Sequence, residues 1–143
     1  MMKTSFGGKI TVALLLAALV AAAQTTYQPK FRGDPARSDS EAVALGYMRT
    51  LIRAEHQYQK KNGKYTGALR QLVHTGTFTR RMAQTDQGDY AVIFHSRKKG
   101  DGYELALTPK QLDAQHRSFY ADEDGVIHAD EEKAATEDSP KVK

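Results

Sequence analysis

The chain has 143 residues, with 21 basic and 17 acidic side chains, a formal net charge of +4 at pH 7 and no cysteine. The lack of cysteine excludes disulfide staples, thiol catalysis and cysteine-ligated zinc. Basic and acidic residues are mixed along the sequence, whereas nucleic-acid binding calls for a basic face with interleaved aromatic residues. We therefore expect no nucleic-acid partner.

The first 23 residues have the three parts of a secretory signal peptide. Lys3 and Lys9 precede the apolar run 10–20, and the small residues Ala21-Ala22-Ala23 follow it. This pattern predicts cleavage after Ala23, a periplasmic or secreted location, and no stable membrane insertion after cleavage. The alternative is an uncleaved N-terminal anchor. Length argues against it, because a spanning helix needs about 20 apolar residues and the run 10–23 has 14.

Residues 24–38 are polar and interrupted by two prolines, which predicts a flexible linker. The next residues, Ser38-Asp39-Ser40-Glu41, have the spacing of a capping box and predict the start of a helix. Apolar residues then recur at helical spacing until Asn62-Gly63, where a left-handed C-cap forms easily. The pattern predicts an amphipathic helix of about 20 residues, whose apolar stripe consists of Leu45, Met48, Leu51, Ile52, Glu55 and Tyr58.

After this helix the sequence predicts a short second helix over 66–74, and then the hydrophobic period changes to that of strands. The alternating segments are 90–95, 103–107, 119–121 and 126–129, separated by glycine-containing turns. The expected fold class is α+β, with a long N-terminal amphipathic helix and a short helix packed on a three- to four-stranded antiparallel β-meander. The charged residues 131–143 predict a disordered tail.

The segment 41–72 resembles bacterial type IV pilin-like and pseudopilin-like proteins. In that family a helix leads to a tyrosine, followed by a glycine, a second tyrosine and a Leu-x-x-Leu helix. The corresponding residues here are Tyr58, Gly63, Tyr65, Leu69 and Leu72. The stretch 117–127 is similar to the terminal hairpin of the same group. The first 23 residues predict a secretory signal in place of a prepilin leader. The resemblance therefore implies a pilin-like globular domain over 39–130 in an exported relative.

Three acids near the last predicted hairpin are a candidate calcium site. Asp122, Asp124 and Asp130 offer the carboxylate oxygens that calcium prefers, although their spacing is not that of an EF-hand loop. A plain turn also favours Asp and Gly for backbone reasons alone, and that alternative stays open. No other cofactor is indicated.

The remaining titratable residues give no catalytic pattern. Glu55 lies on the apolar stripe of the long helix, either as a buried acid with a raised pKa or at the stripe's edge with its carboxylate in water. The histidines lack metal-ligand spacing, and only His95 and His128 would meet, if their strands face each other. No serine stands in a sharp strand-to-helix turn. The sequence therefore predicts no catalytic residue.

These observations favour a non-enzymatic protein that contacts envelope or periplasmic proteins through a free sheet edge and through its two ends. The alternative is a small periplasmic ligand- or calcium-binding module that uses the C-terminal Asp-rich hairpin. The two hypotheses differ in what the hairpin acids do, which depends on the fold.

Overall fold

In the computed structural model, which describes residues 26–143, a single helix and one sheet surround a shared core. The helix is α1 (Asp39–Asn62), and the strands are β1 (Asp86–Gln87), β2 (Tyr90–Ser96), β3 (Tyr103–Pro109), β4 (Ser118–Asp122) and β5 (His128–Asp130). All neighbouring strands are antiparallel and follow chain order, β1-β2-β3-β4-β5. The expected α+β class is confirmed. The predicted signal peptide, 1–23, lies outside the described residues.

The helix begins and ends at caps that the sequence indicates. Ser38 has an extended backbone, and its side chain accepts a hydrogen bond from the Glu41 N–H at 3.2 Å. At the other end Gly63 adopts φ 72°, and its N–H donates to the Gln59 carbonyl at 2.7 Å. A left-handed residue at this position costs glycine little, because it has no Cβ. Within 26–143, no helix is both long enough and apolar enough to cross a membrane.

The apolar stripe of α1 and one face of the sheet form a continuous core. Leu45, Met48 and Leu51 are fully buried. On the sheet, the residues of β2 and β3 that alternate toward the helix are buried, as strand periodicity predicts. The core side chains of the sheet are Tyr90, Val92, Tyr103, Leu105, Leu107, Phe119, Ala121 and Ala129.

The middle of the chain has less regular structure than the sequence predicts. The expected helix over 66–74 is reduced to a 3₁₀ turn, Leu69–Leu72, which starts after an extended Ala68 without a side-chain cap. His74 then takes φ 72° and ends the turn. The two-residue strand β1 has no signal in the sequence, because a pair of polar residues has no period.

The prediction of a disordered tail at 131–143 is wrong. The Ala129 N–H donates to the Pro140 carbonyl at 2.9 Å, and the Val142 N–H donates to the Ile127 carbonyl at 2.8 Å, so the tail runs beside β5. Ala135 is buried and donates its N–H to the Ser118 hydroxyl. Backbone hydrogen bonds, side-chain hydrogen bonds to Ser118 and from His128, and the burial of Ala135 hold the tail, and a composition rich in charge reveals none of them.

The predicted flexible linker is also partly folded from residue 26 onward. The Tyr27 hydroxyl donates to Asp34 at 2.5 Å, and the Lys30 and Ala36 N–H groups donate to the same carboxylate. Tyr27 packs against the core and Ala36 is buried. The linker therefore forms a turn against the domain, because Asp34 satisfies its backbone.

Candidate functional site

The structure does not bring the three candidate calcium ligands together. Asp130 pairs with Ser118 across β4 and β5, and Asp122 lies four residues further along β4. At a rise of roughly 3.3 Å per residue, this places the two about 13 Å apart. The predicted three-residue site is therefore wrong in its geometry.

Each of these acids already accepts hydrogen bonds from nearby backbone. Asp122 accepts the Asp124 N–H at 3.0 Å, and Asp124 accepts the Val126 N–H at 2.6 Å. Asp130 accepts the Glu132 N–H at 3.0 Å, and this bond lowers its pKa. Burial raises the pKa of Asp122. The turn explanation thus fits these residues better than the calcium hypothesis.

The histidines are also apart. Two strands, β3 and β4, separate the strand that carries His95 from the one that carries His128. His128 is buried, and its Nδ1 donates to the Ser139 carbonyl at 2.6 Å, which ties down the tail. Among the described residues, no group of three or more acids or histidines is placed to hold a metal ion.

Two glutamates on α1 are fully buried, and both bind loops of the chain itself. Glu41 accepts four hydrogen bonds, three of them from Arg117 and one from the Arg37 N–H. Glu55 accepts the Thr66 N–H at 3.1 Å and also bonds the Thr66 hydroxyl. Burial raises the pKa of Glu55. Of the two alternatives for Glu55, the structure shows the buried acid and not a carboxylate in water at the edge of the stripe, and its partner is Thr66.

One edge of the sheet is closed and the other is partly open. The tail covers the β5 edge through its hydrogen bonds to residues 127 and 129. On the opposite edge, β1 pairs only with Tyr90 and Ala91. The Val92 N–H points toward the β1 side of the strand, where it donates to the Thr85 carbonyl. Because backbone groups alternate in direction along a strand, the N–H and C=O groups of Phe94 and Ser96 point to the same side. No described strand lies beside them. We call residues 94–96 the open edge.

The face of the sheet that points away from α1 also has a covered part and an uncovered part. Over β4 the tail covers Ser118, whose hydroxyl donates to the Lys133 carbonyl. Over β2 the face is uncovered, and Ile93 is 45% exposed there. Ile93 is a neighbour of the open edge. An apolar side chain and unpaired backbone groups therefore lie together on one side of β2.

A second surface lies between α1 and the turn after β4. It is a groove of about 520 Å³, which we call the cationic groove, lined by Arg49, Ile52, Arg53, Gly125, Val126, Ile127, Val142 and Lys143. The lining combines apolar side chains with three cations and contains no acidic side chain. Arg49 also lies over the ring of Phe31, at 5.9 Å from its centroid. Sequence reasoning missed this groove, because its walls come from three distant segments.

No protein-family model matches the chain, and no similar protein was found among the curated proteins or the solved structures. The pilin-like resemblance therefore stays a prediction.

Proposed function

We propose that this chain is an exported, non-enzymatic, pilin-like domain that acts through protein–protein interaction in the cell envelope. The observation that carries the proposal is the open edge of β2, residues 94–96, beside the exposed Ile93. A strand of a partner protein would extend the sheet there. The N-terminal signal pattern supports export, and the order of a helix followed by an antiparallel meander supports the pilin-like fold.

The backbone of the open edge can support such an addition. Phe94 and Ser96 each direct one donor and one acceptor outward, and an added strand would pair with these four groups. Ile93 and the exposed His95 stand on the uncovered face next to the same edge. The added strand would therefore gain side-chain contacts as well as ladder hydrogen bonds.

The charge near the open edge indicates the chemistry of the partner strand. Lys98 and Lys99 follow the edge in the turn before β3, and both are exposed. A basic partner strand would be repelled by these lysines, because placing like charges together is unfavourable. An acidic strand would pair with less repulsion, so we expect a partner of that kind.

The proposal is tested by photo-crosslinking in cells. A photoreactive amino acid at position 95, on the edge strand, is expected to give an adduct with an envelope protein. The same amino acid at Val43, which is 67% exposed on α1, is expected to give none. Equal adducts at both positions, or none at either, would contradict the proposal.

A proline pair makes the test specific for strand addition. Ser96→Pro removes an N–H that points outward and leaves the β2–β3 ladder intact, as proline at a sheet edge does. It should abolish the adduct with little loss of stability. His95→Pro removes an N–H that points into the ladder and should destabilise the fold itself. If Ser96→Pro folds and keeps the adduct, the partner binds elsewhere.

A further inference from the structure

The cationic groove has features that the open edge does not explain. Its floor is apolar, formed by Ile52, Val126, Ile127 and Val142, each of which is half-buried. Gly125 comes close to Ile52, since a Cβ built on the glycine would lie 3.5 Å from the isoleucine Cγ2. The turn after β4 thus packs closely on the helix at this point and leaves a concave apolar strip beside it.

Three cationic side chains lie around this apolar strip. Arg49 and Arg53 are four residues apart on α1, so their side chains leave the same face of the helix about 6 Å apart. Within residues 26–143, Arg53 forms no ion pair and no side-chain hydrogen bond. The carboxylate of Asp34, near Arg49, is already bonded to Tyr27 and two backbone N–H groups. Asp34 therefore offsets part of the charge of Arg49, whereas the charge of Arg53 has no ion-pair partner within residues 26–143.

The shape and charge together favour a peptide segment as the occupant. Enclosed pockets bury most of a small molecule, whereas this groove is open along one side. Two arginines and a lysine match more than one anionic group, and a single-headed fatty acid would leave part of this charge unpaired. Residues 1–25 of the chain itself contain Lys3 and Lys9 and no acidic residue, so charge disfavours them as the occupant.

We propose that the cationic groove binds an acidic peptide segment that places an apolar side chain on Ile52 and Ile127 and its carboxylates on Arg49 and Arg53. Arginine is suited to this role because its planar guanidinium binds carboxylates through two parallel hydrogen bonds. Phe31, which is 54% exposed and contacts Arg49, extends the apolar surface at the mouth of the groove. This site is separate from the open edge and does not depend on the strand addition proposed there.

The experiment is a titration of the folded protein with a short labelled peptide, followed by fluorescence polarisation. The peptide carries two glutamates two residues apart and a leucine next to them, because an extended chain then places the two glutamates roughly 6.6 Å apart, close to the arginine spacing. We expect saturable binding that weakens as salt rises, because exposed charges are screened. A matched peptide with lysines in place of the glutamates should not bind.

Two charge reversals assign the site. Arg53→Glu should weaken the glutamate peptide about tenfold or more, since it places like charges together. Arg81→Glu reverses an exposed arginine in the loop before β1 and should leave the affinity unchanged. Equal denaturation midpoints of both variants and the parent chain confirm that the fold is intact. Equal losses in the two variants would overturn the assignment.

Other occupants give distinct results. Saturable binding of decanoate, without binding of the glutamate peptide at about 1 mM, would overturn the proposal in favour of a small apolar acid. Self-association in sedimentation that Arg53→Glu abolishes would assign the groove to a second copy of this chain. Neither result bears on the crosslink at position 95, so the proposed function stands or fails separately.

Discussion

The two ends of α1 each hold a loop of the chain against the helix, but they do so through different hydrogen-bond partners. At each end a fully buried glutamate, Glu41 or Glu55, holds a loop against the helix. Glu41 binds a guanidinium, with its two oxygens 2.9 and 2.8 Å from Nε and Nη2 of Arg117. Glu55 binds no cation, only the N–H and hydroxyl of Thr66. One buried carboxylate is therefore paired with an opposite charge and the other is not.

The difference shows which hydrogen-bonding groups each site requires. Every partner of Glu41 is an N–H donor, so the site needs an acceptor at both oxygens. The Thr66 hydroxyl beside Glu55 can donate or accept. A neutral side chain with one donor and one acceptor therefore fits the Glu55 site and does not fit the Glu41 site. Substitution of each glutamate by glutamine separates the two cases.

The largest effect is expected for Glu41→Gln. The amide would point its own donors at Arg117 or at the Arg37 N–H, and it would leave the Arg117 charge without a partner although that side chain is only 12% exposed. Breaking a buried ion pair costs about 3–5 kcal/mol of unfolding free energy. Urea denaturation measures this loss. An exposed acid in the tail, Glu132→Gln, serves as the control and should change stability by less than about 0.5 kcal/mol.

At the other end, Glu55→Gln should be close to neutral, while Glu55→Ala should cost about 1–3 kcal/mol because Thr66 loses its buried partner. The same urea series measures both variants. If glutamine costs as much here as at position 41, the distinction between the two ends is wrong.

The comparison also predicts a pH dependence for Glu55. Burial raises the pKa of this glutamate in the folded state above the ordinary value of 4.5. Its contribution to stability is fully present below that value and is lost as pH rises through the folded pKa. The parent chain should therefore lose stability relative to Glu55→Gln as the pH is raised from acid to neutral. A difference that stays constant over this range would mean that the carboxylate is not destabilised by burial.

The sequence predicts the periodic parts of this fold and little of its polar organisation. Leu45, Met48 and Leu51 recur at helical spacing because one face of α1 must be buried. Glu55 stands on the same stripe, but the pattern leaves open whether its carboxylate is buried or in water. Thr66 as its partner is not predictable from the pattern. The contact depends on how the chain turns back after Gly63, and no periodicity encodes that turn.

The non-local features escape prediction for the same reason. The tail carries its charges outward and is held in part by backbone hydrogen bonds to Ile127 and Ala129, which any residue type except a proline at a donor position could make. Arg49 and Arg53 look like the solvated face of a helix until Val126 and Val142 are placed beside them. Such contacts depend on chain path rather than on local residue pattern, so they require the three-dimensional structure.

The smallest effects concern the caps that set the helix ends. Ser38→Ala removes the acceptor for the Glu41 N–H and should cost about 1 kcal/mol of unfolding free energy.

Gly63→Ala should cost about 1–2 kcal/mol of unfolding free energy through strain alone, because a Cβ is disfavoured at positive φ and would meet no atom within 4 Å. Gly46→Ala is the matched control, since Gly46 is inside the helix and its Cβ would also meet nothing. It should stabilise the chain by about 0.5–1 kcal/mol. Thermal unfolding measures both variants. If Gly46→Ala and Gly63→Ala shift the unfolding temperature in the same direction, position 63 is not held in the left-handed conformation.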